Sequence, residues 1–206
     1  MINRLKQIVD TSYNILINKI NYGNISIDNE AAMQLQFAYI LKSIGVLYEY
    51  SLDERFSVEL EKEVTLNSSS FKSKGQKAKI DILLKLADNK NTYKCAIELK
   101  YFKHKNHREP NNRYDVFADI ANLELYKNNG IDMGYFVVGT DHPHYVTQAS
   151  YSEDTKDFDL RDNTKYRKGT TLSYRADKPY ADIILQNNYE FKWDKFKNKY
   201  FLILEV

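Results

Sequence analysis

Three charged residues lie inside two short apolar segments, where charges are usually costly. Asp81 is in "KAKIDILLKL", and Glu98 and Lys100 are in "YKCAIELKYF". Both segments have the length and alternation of β-strands, and the turn-rich stretch "ADNKN" joins them. Two neighbouring carboxylates repel each other, and a divalent cation relieves that repulsion; an oxygen-only site with room for water suits Mg²⁺. A lysine beside them could act on a metal-bound water or on a phosphate, so these residue types indicate metal-assisted chemistry on a phosphate.

Strand periodicity predicts that the three charges meet. Adjacent strands of one sheet must turn their apolar faces to the same core, because a slip of one residue would reverse every side chain. Asp81, Glu98 and Lys100 are therefore expected on one face, with Asp81 opposite Glu98 and their side chains about 5 Å apart. The opposite, apolar face is then formed by Ile80, Ile82, Leu84 and Leu86 of one strand and Cys95, Ile97, Leu99 and Tyr101 of the other.

The pattern of residue types alone is unspecific, since Glu-x-Lys is expected by chance about once in 200 residues. The same chain contains Asp182 upstream of Glu190 and Lys192. A two-residue hairpin at Asn187-Asn188 would turn Asp182 to the opposite face, so only the first set converges. The alternative is that the polar face of the first set is simply the solvent side, with lysines pairing the acids.

The remaining pattern predicts an α/β (α+β) fold with a mixed central sheet flanked by helices. An N-terminal surface helix is followed by a helix over 29–44, which Asp28 or Asn29 caps and Gly45 ends in the left-handed conformation. A strand over 55–66, the two charged strands, a helix over 112–130 and a strand over 133–139 complete the order α-β-β-β-α-β. The helix over 112–130 buries one stripe and is expected to expose the face of Asp115, Asp119, Asn122 and Tyr126.

These motifs resemble those of the PD-(D/E)xK nuclease superfamily, which includes many restriction endonucleases. "ID" at 80–81 stands for the family's "PD", with Ile80 in place of the proline, and "ELK" at 98–100 stands for "ExK". The resemblance covers about residues 29 to 140. It implies a restriction-endonuclease-like three-layer core within 1–140, and it leaves 141–206 as a C-terminal extension packed on the same domain.

The resemblance also implies a site and an activity. Asp81, Glu98 and the carbonyl of Leu99 would bind Mg²⁺, for which Mn²⁺ could substitute, and Lys100 would act on the attacking water. Glu30, at the start of the second helix, is the candidate for the family's additional glutamate. The function implied is a Mg²⁺-dependent DNA endonuclease of a restriction or phage-defence system. A non-catalytic nucleic-acid-binding or interaction protein and an RNA or structure-specific nuclease remain alternatives, as does a homodimer or a partner subunit.

Two basic loops flank the charged strands, although the net charge of the 206 residues is only +2. A local basic rim can attract a polyanion even when the total charge is small. The candidates for nucleic-acid binding are Lys72, Lys74, Lys77, Lys79, Lys103, Lys105, Arg108 and Arg113. His104 and His107 near Glu109 lack a fourth zinc ligand, so the expectation for them is contact with phosphate. For His142 and His144, too, the alternative to consider is a metal site.

Composition narrows the class of protein. The single cysteine, Cys95, excludes an internal disulfide and a cysteine-based zinc cluster. No window has the apolar length that crosses a bilayer, and the N-terminus lacks the apolar block of a signal peptide. A cytoplasmic protein without membrane contact is the expectation.

Overall fold

The computed structural model describes residues 1–71, 75–176 and 180–206. Two helices come first, α1 (Ile2–Asn21) and α2 (Glu30–Gly45). Asn29 caps α2 by accepting a hydrogen bond from the N–H of Ala32 at 2.7 Å, as one of the two predicted caps. Lys72 and Lys74 of the first basic loop lie outside the described residues.

The central sheet has six strands, in the spatial order β1 (Arg55–Thr65), β2 (Lys77–Ala87), β3 (Thr92–Phe102), β4 (Met133–Thr140), β10 (Lys199–Glu205) and β9 (Asp194–Phe196). The first three, β1, β2 and β3, are consecutive along the chain. The helix α3 (Glu109–Lys127) then crosses to β4, which runs parallel to β3, whereas the other pairs are antiparallel. The expected mixed sheet and the order α-β-β-β-α-β from α2 to β4 are confirmed.

Two apolar cores cover the two faces of the sheet. One face packs against α1 and α2 and includes Ile82, Leu84 and Ile97. The other packs against α3 and the C-terminal segment and includes Leu83, Ala96 and Phe117. Because α3 lies between the sheet and the C-terminal segment, even its polar residues Asp119 and Asn122 are fully buried. The prediction that this face of the helix is solvated is wrong.

The C-terminal segment from 141 begins with short elements and ends in the central sheet. These elements are α4 (His144–Thr147), β5 (Lys165–Tyr166), β6 (Thr171–Leu172), β7 (Ile183–Ile184), β8 (Tyr189–Glu190), β9 (Asp194–Phe196) and β10 (Lys199–Glu205). β5 pairs with β8 and β6 with β7, so β7 and β8 are not the two strands of the hairpin that was considered at Asn187-Asn188. β10 enters the central sheet beside β4, so residues beyond 140 build the same core.

The end of α2 also differs from the prediction. Gly45 has φ −62°, an ordinary right-handed helical value, so it does not end the helix in the left-handed conformation. Its lack of a side chain serves packing instead, because a Cβ there would lie 2.0 Å from Cε1 of the buried Phe56. Within the described residues, none of the helices has both the length and the apolar character needed to cross a membrane.

Candidate active site

The strands β2 and β3 separate at the two acidic residues. Their antiparallel register runs from Ala87 opposite Thr92 to Ile82 opposite Ile97, and Asp81 and Glu98 come next. Beyond this point β2 continues beside β1 and β3 continues beside β4. The two acidic residues therefore flank the opening between the strands.

Asp81 lies at this opening and forms hydrogen bonds to β3 and to α2. Its Oδ2 accepts a hydrogen bond from the backbone N–H of Leu99 at 2.7 Å, which replaces a bond of the sheet ladder. Its own carbonyl oxygen accepts one from Nε2 of Gln34 on α2 at 2.8 Å. The alternation of β2 breaks at this residue, since Ile80 packs in the core beside α3 and Ile82 packs in the core beside α2. The predicted common face of Ile80 and Ile82 is thus wrong, while Ile82, Leu84 and Leu86 do share one face.

Opposite Asp81 on β1, Glu61 has the unusual backbone angle φ +51°. The register passes from Leu60 opposite Ile82 to Lys62 opposite Ile80, so the distortion is confined to the level of Asp81. Oε1 of Glu61 accepts a hydrogen bond from Gln34 Nε2 at 2.9 Å. Gln34 therefore links α2 to both strands beside the site, and the sequence analysis did not single it out.

Glu98 is fully buried, and Oε1 accepts a hydrogen bond from the hydroxyl of Tyr126 on α3 at 3.0 Å. Burial raises the pKa of Tyr126 above its ordinary value, and the negative charges of Glu98 and Asp81 raise it further. The Tyr126 hydroxyl thus remains a hydrogen-bond donor to the carboxylate.

Lys100 lies between α2 and α3. Its Nζ is 3.0 Å from Oδ2 of the buried Asp119 and 3.6 Å from Oε1 of Glu30. It also donates to the carbonyl oxygen of Leu99 at 2.9 Å. The structure thus brings Asp81, Glu98, Lys100 and Glu30 into one neighbourhood, and it adds Asp119 and Tyr126, which the sequence analysis assigned to a solvated face.

The donor set at the opening suits a hard cation. The carboxylates of Asp81 and Glu98 and the carbonyl of Leu99 supply only oxygen atoms, the ligand type that Mg²⁺ prefers. The Leu99 oxygen has a second lone pair beside the one that accepts from Lys100. Across residues 1–71, 75–176 and 180–206, no group of three or more His, Cys, Asp or Glu side chains is arranged to hold a metal ion. A cation here would therefore rely on the two acids, the carbonyl and water.

Among the residues that the structure describes, the predicted phosphate-binding residues that are at least partly exposed form two groups, one on β2 and one after β3. Lys77 and Lys79 are exposed on β2, and Lys79 pairs with Glu61 at 3.7 Å. After β3, Lys105 and Arg108 are exposed and Lys103 is partly exposed.

Arg113 is a correction to the set of phosphate-binding residues, because it is only 2 % exposed. Its guanidinium donates to the carbonyls of Thr155 and Phe158 and stacks on the ring of Tyr151 at 3.6 Å. Burial lowers the pKa of this guanidinium below its usual range. Arg113 fixes the C-terminal segment to α3 and is not a surface contact for nucleic acid.

The four histidines gather beside the start of α3. The rings of His104 and His142 lie 4.3 Å apart, and Nε2 of His142 is 2.9 Å from Oε1 of Glu109. His107 lies 4.0 Å from the same oxygen. Burial lowers the pKa of His144, and the positive charge of Arg113 lowers it further. Within the described part of the chain this group does not form a metal site.

Comparison of the chain with protein-family models, with curated proteins and with solved structures finds no match. Any inference about the function of this protein therefore depends on its own residues and on their arrangement.

Proposed function

We propose that this chain is a Mg²⁺-dependent endonuclease that hydrolyses phosphodiester bonds in DNA, with a restriction-endonuclease-like core and a site of the PD-(D/E)xK type. The observation that carries the proposal is the meeting of Asp81, Glu98 and Lys100 where β2 and β3 separate. A buried carboxylate in a strand is costly unless it is hydrogen-bonded or serves a function. Restriction or defence against phage is the biological setting that such an activity suggests.

Each side chain has a role in this proposal. Asp81, Glu98 and the Leu99 carbonyl would hold the cation, which when bound would polarise the scissile phosphate and lower the pKa of the attacking water. Lys100 would orient or deprotonate that water, or donate to the phosphate as negative charge develops. Asp119 and Glu30 hold Lys100 from both sides, so its ammonium group stays at the opening.

Plasmid cleavage with purified protein tests the proposal. We expect nicked or linear product with Mg²⁺ or Mn²⁺ and none in EDTA. Lys100→Ala should lower the cleavage rate by about 100-fold or more, the size of a general acid–base contribution. Glu98→Gln should lower it as well, because it removes a charged oxygen ligand of the cation. The matched controls are Glu190→Gln and Lys192→Ala, which alter the other Glu-x-Lys sequence, and they should cleave like the wild type.

The result that contradicts the proposal is cleavage by Glu98→Gln at the wild-type rate, because the activity would then come from another site or from a contaminant. Circular dichroism of each variant shows whether a loss of activity reflects a loss of fold. A parallel reaction with RNA decides between DNA and RNA as substrate.

A non-catalytic nucleic-acid-binding protein is the second candidate, and one observation favours it. Lys100 is paired with Asp119 and Glu30, as expected if the charges of the motif neutralise one another internally. This candidate predicts binding of DNA without cleavage in Mg²⁺ or Mn²⁺. It also predicts that Glu98→Gln leaves the affinity for DNA unchanged.

A further inference from the structure

A groove lies at the end of the sheet where β3 and β4 finish and β10 starts. It has a volume of about 670 Å³, and its cationic lining comes from Lys103 and Lys105 after β3 and from Lys199 at the start of β10. His104 and His107 line it as well, and Asp28 and Asp141 are its acidic residues. These seven residues define what is here called the basic groove.

The basic groove is adjacent to the candidate active site. Asp28 of its lining is two residues before Glu30, whose carboxylate lies 3.6 Å from Lys100. Lys103, the residue after β3, is five positions beyond Glu98, a distance of about 16 Å in an extended strand. A nucleic-acid strand that crosses the opening between β2 and β3 can therefore place a phosphate further along the same strand in the basic groove.

The chemistry of the lining fits phosphate better than a base. Tyr101, which also lines the groove, is 8 % exposed, and its hydroxyl donates to the carbonyl of Ile27 at 3.1 Å, so its ring offers little surface for stacking. Each acidic group accepts a hydrogen bond from a neutral N–H group, Oδ1 of Asp141 from His104 at 2.7 Å and Asp28 from Asn29 at 3.3 Å. Three lysine ammonium groups outnumber these two carboxylates, so the lining of the groove is net positive.

We infer that the basic groove is a subsite for the phosphodiester backbone of the substrate strand, several nucleotides from the bond that is cut. The inference depends on the proposed function for the identity of the polyanion. It adds Lys199 to the predicted nucleic-acid contacts, and it assigns His104 and His107, for which phosphate contact was expected, to the same subsite. A contact with phosphate carries no sequence information, so this subsite contributes affinity and strand position.

Binding in EDTA tests the subsite apart from cleavage. The probe is a fluorescein-labelled 20-nucleotide DNA, used single-stranded and as a duplex, with affinity measured by anisotropy over a range of salt concentrations. Lys199→Gln should weaken binding and reduce the slope of log affinity against log salt by about 0.7 for the single strand or about 0.9 for the duplex, the value for one phosphate contact. Lys103→Gln/Lys105→Gln/Lys199→Gln should reduce it by about two to three times that amount.

Lys90→Gln is the matched control, because Lys90 is exposed in the turn at the other end of β3. It should keep the wild-type affinity and slope. An unchanged slope in the triple variant, with wild-type circular dichroism, would overturn the subsite even if the protein cleaves DNA. A changed slope in a protein that cleaves nothing would support the subsite and contradict the proposed endonuclease.

Discussion

Glu98 is a buried carboxylate at the candidate site, and its burial must be offset by other interactions. Its side chain is 0 % exposed, and burial of a carboxylate costs several kcal/mol unless hydrogen bonds offset it. The Tyr126 hydroxyl supplies one such bond at 3.0 Å. Hydrogen bonds to charged groups contribute about 1.5–3 kcal/mol, so this tyrosine should matter for stability whether or not the protein is an enzyme.

Tyr126→Phe tests this contribution. The substitution removes the donor and leaves a buried carboxylate with one partner fewer, so the free energy of unfolding should fall by about 1–3 kcal/mol. Urea denaturation at pH 7 is the measurement. Tyr135→Phe is the matched control, because the buried Tyr135 hydroxyl has no hydrogen-bond partner among the described residues, and its removal should leave stability unchanged or raise it.

A second substitution separates the hydrogen bond from simple packing. In a Glu98→Leu background the charge is absent, so Tyr126→Phe should cost much less than in the wild type. Equal costs in both backgrounds would mean that the hydroxyl does not stabilise the carboxylate.

At the scale of elements, the site depends on a local break in regular strand geometry. Glu61 on β1 adopts φ +51°, and Asp81 on β2 uses its carboxylate and its carbonyl to bond Leu99 and Gln34. Strain of about 1–3 kcal/mol at a residue such as Glu61 persists only when the surroundings hold it there. Here Gln34 of α2 bonds both strands, so the position of α2 is linked to the opening at the site.

The packing of α2 on β1 gives a prediction at Gly45. Phe56 is held through its backbone, since its N–H donates to Glu49 at 2.6 Å and its carbonyl accepts from Lys42 at 2.8 Å. A Cβ at position 45 would overlap the ring, so Gly45→Ala should destabilise the protein by about 1–3 kcal/mol despite the higher helix propensity of alanine.

Thermal unfolding followed by circular dichroism measures the effect of Gly45→Ala. The double variant Gly45→Ala/Phe56→Leu should recover part of the loss, because leucine leaves room for the methyl group. A stabilised Gly45→Ala protein would mean that the ring moves freely and that glycine is not required there.

Strand pairing at the site could be predicted from the sequence because it follows from simple alternation. Ile82, Leu84, Cys95 and Ile97 form one apolar face, and the turn between the strands sets their register. The break at Ile80 could not be predicted, because it arises from contacts with α2 and β1 that are distant in sequence.

Asp119 and Tyr126 were misassigned for a related reason. The polar residues of a helix that is buried on several sides form hydrogen bonds or ion pairs inside the protein. Periodicity alone predicts instead that such residues face solvent.

The C-terminal segment was the least predictable part of the chain. The ladders β5-β8 and β6-β7 are only two residues long, and their paired residues lie 11 to 25 positions apart, so local turn signals such as Asn187-Asn188 do not set the pairing. Buried polar contacts hold the segment instead, with Arg113 bonding Thr155 and Phe158. The sequence analysis assigned this arginine to the nucleic-acid contacts because it belongs to the basic stretch that follows β3.

For the whole molecule, α1 connects distant parts of the chain. Arg4 forms a bidentate pair with Glu54 just before β1, at 2.7 and 2.8 Å. Lys6 pairs with Glu205 of β10, and the hydroxyl of Tyr13 donates to Asp194 of β9 at 2.8 Å. The first helix thus contacts residues in or next to both outermost strands of the central sheet, β1 and β9. These contacts should contribute to the stability of the entire fold.

The Arg4–Glu54 pair gives stability a dependence on pH whose sign follows from the shift. The hydrogen bonds from Arg4, followed by the N–H of Tyr50, lower the pKa of Glu54 from 4.5 to about 2. A lowered pKa in the folded state means that the contribution is complete above about pH 4.5 and is lost as the pH falls toward 2. Glu54→Gln should therefore be less stable than the wild type at pH 7, and the difference in free energy of unfolding should shrink between pH 4.5 and 2.

Urea denaturation at pH steps of half a unit measures this difference. Glu153→Gln is the control, because the exposed pair of Glu153 with Lys156 should contribute little at any pH. A difference that stays constant down to pH 2 would mean that the pair stabilises the fold through packing and not through the charge of Glu54.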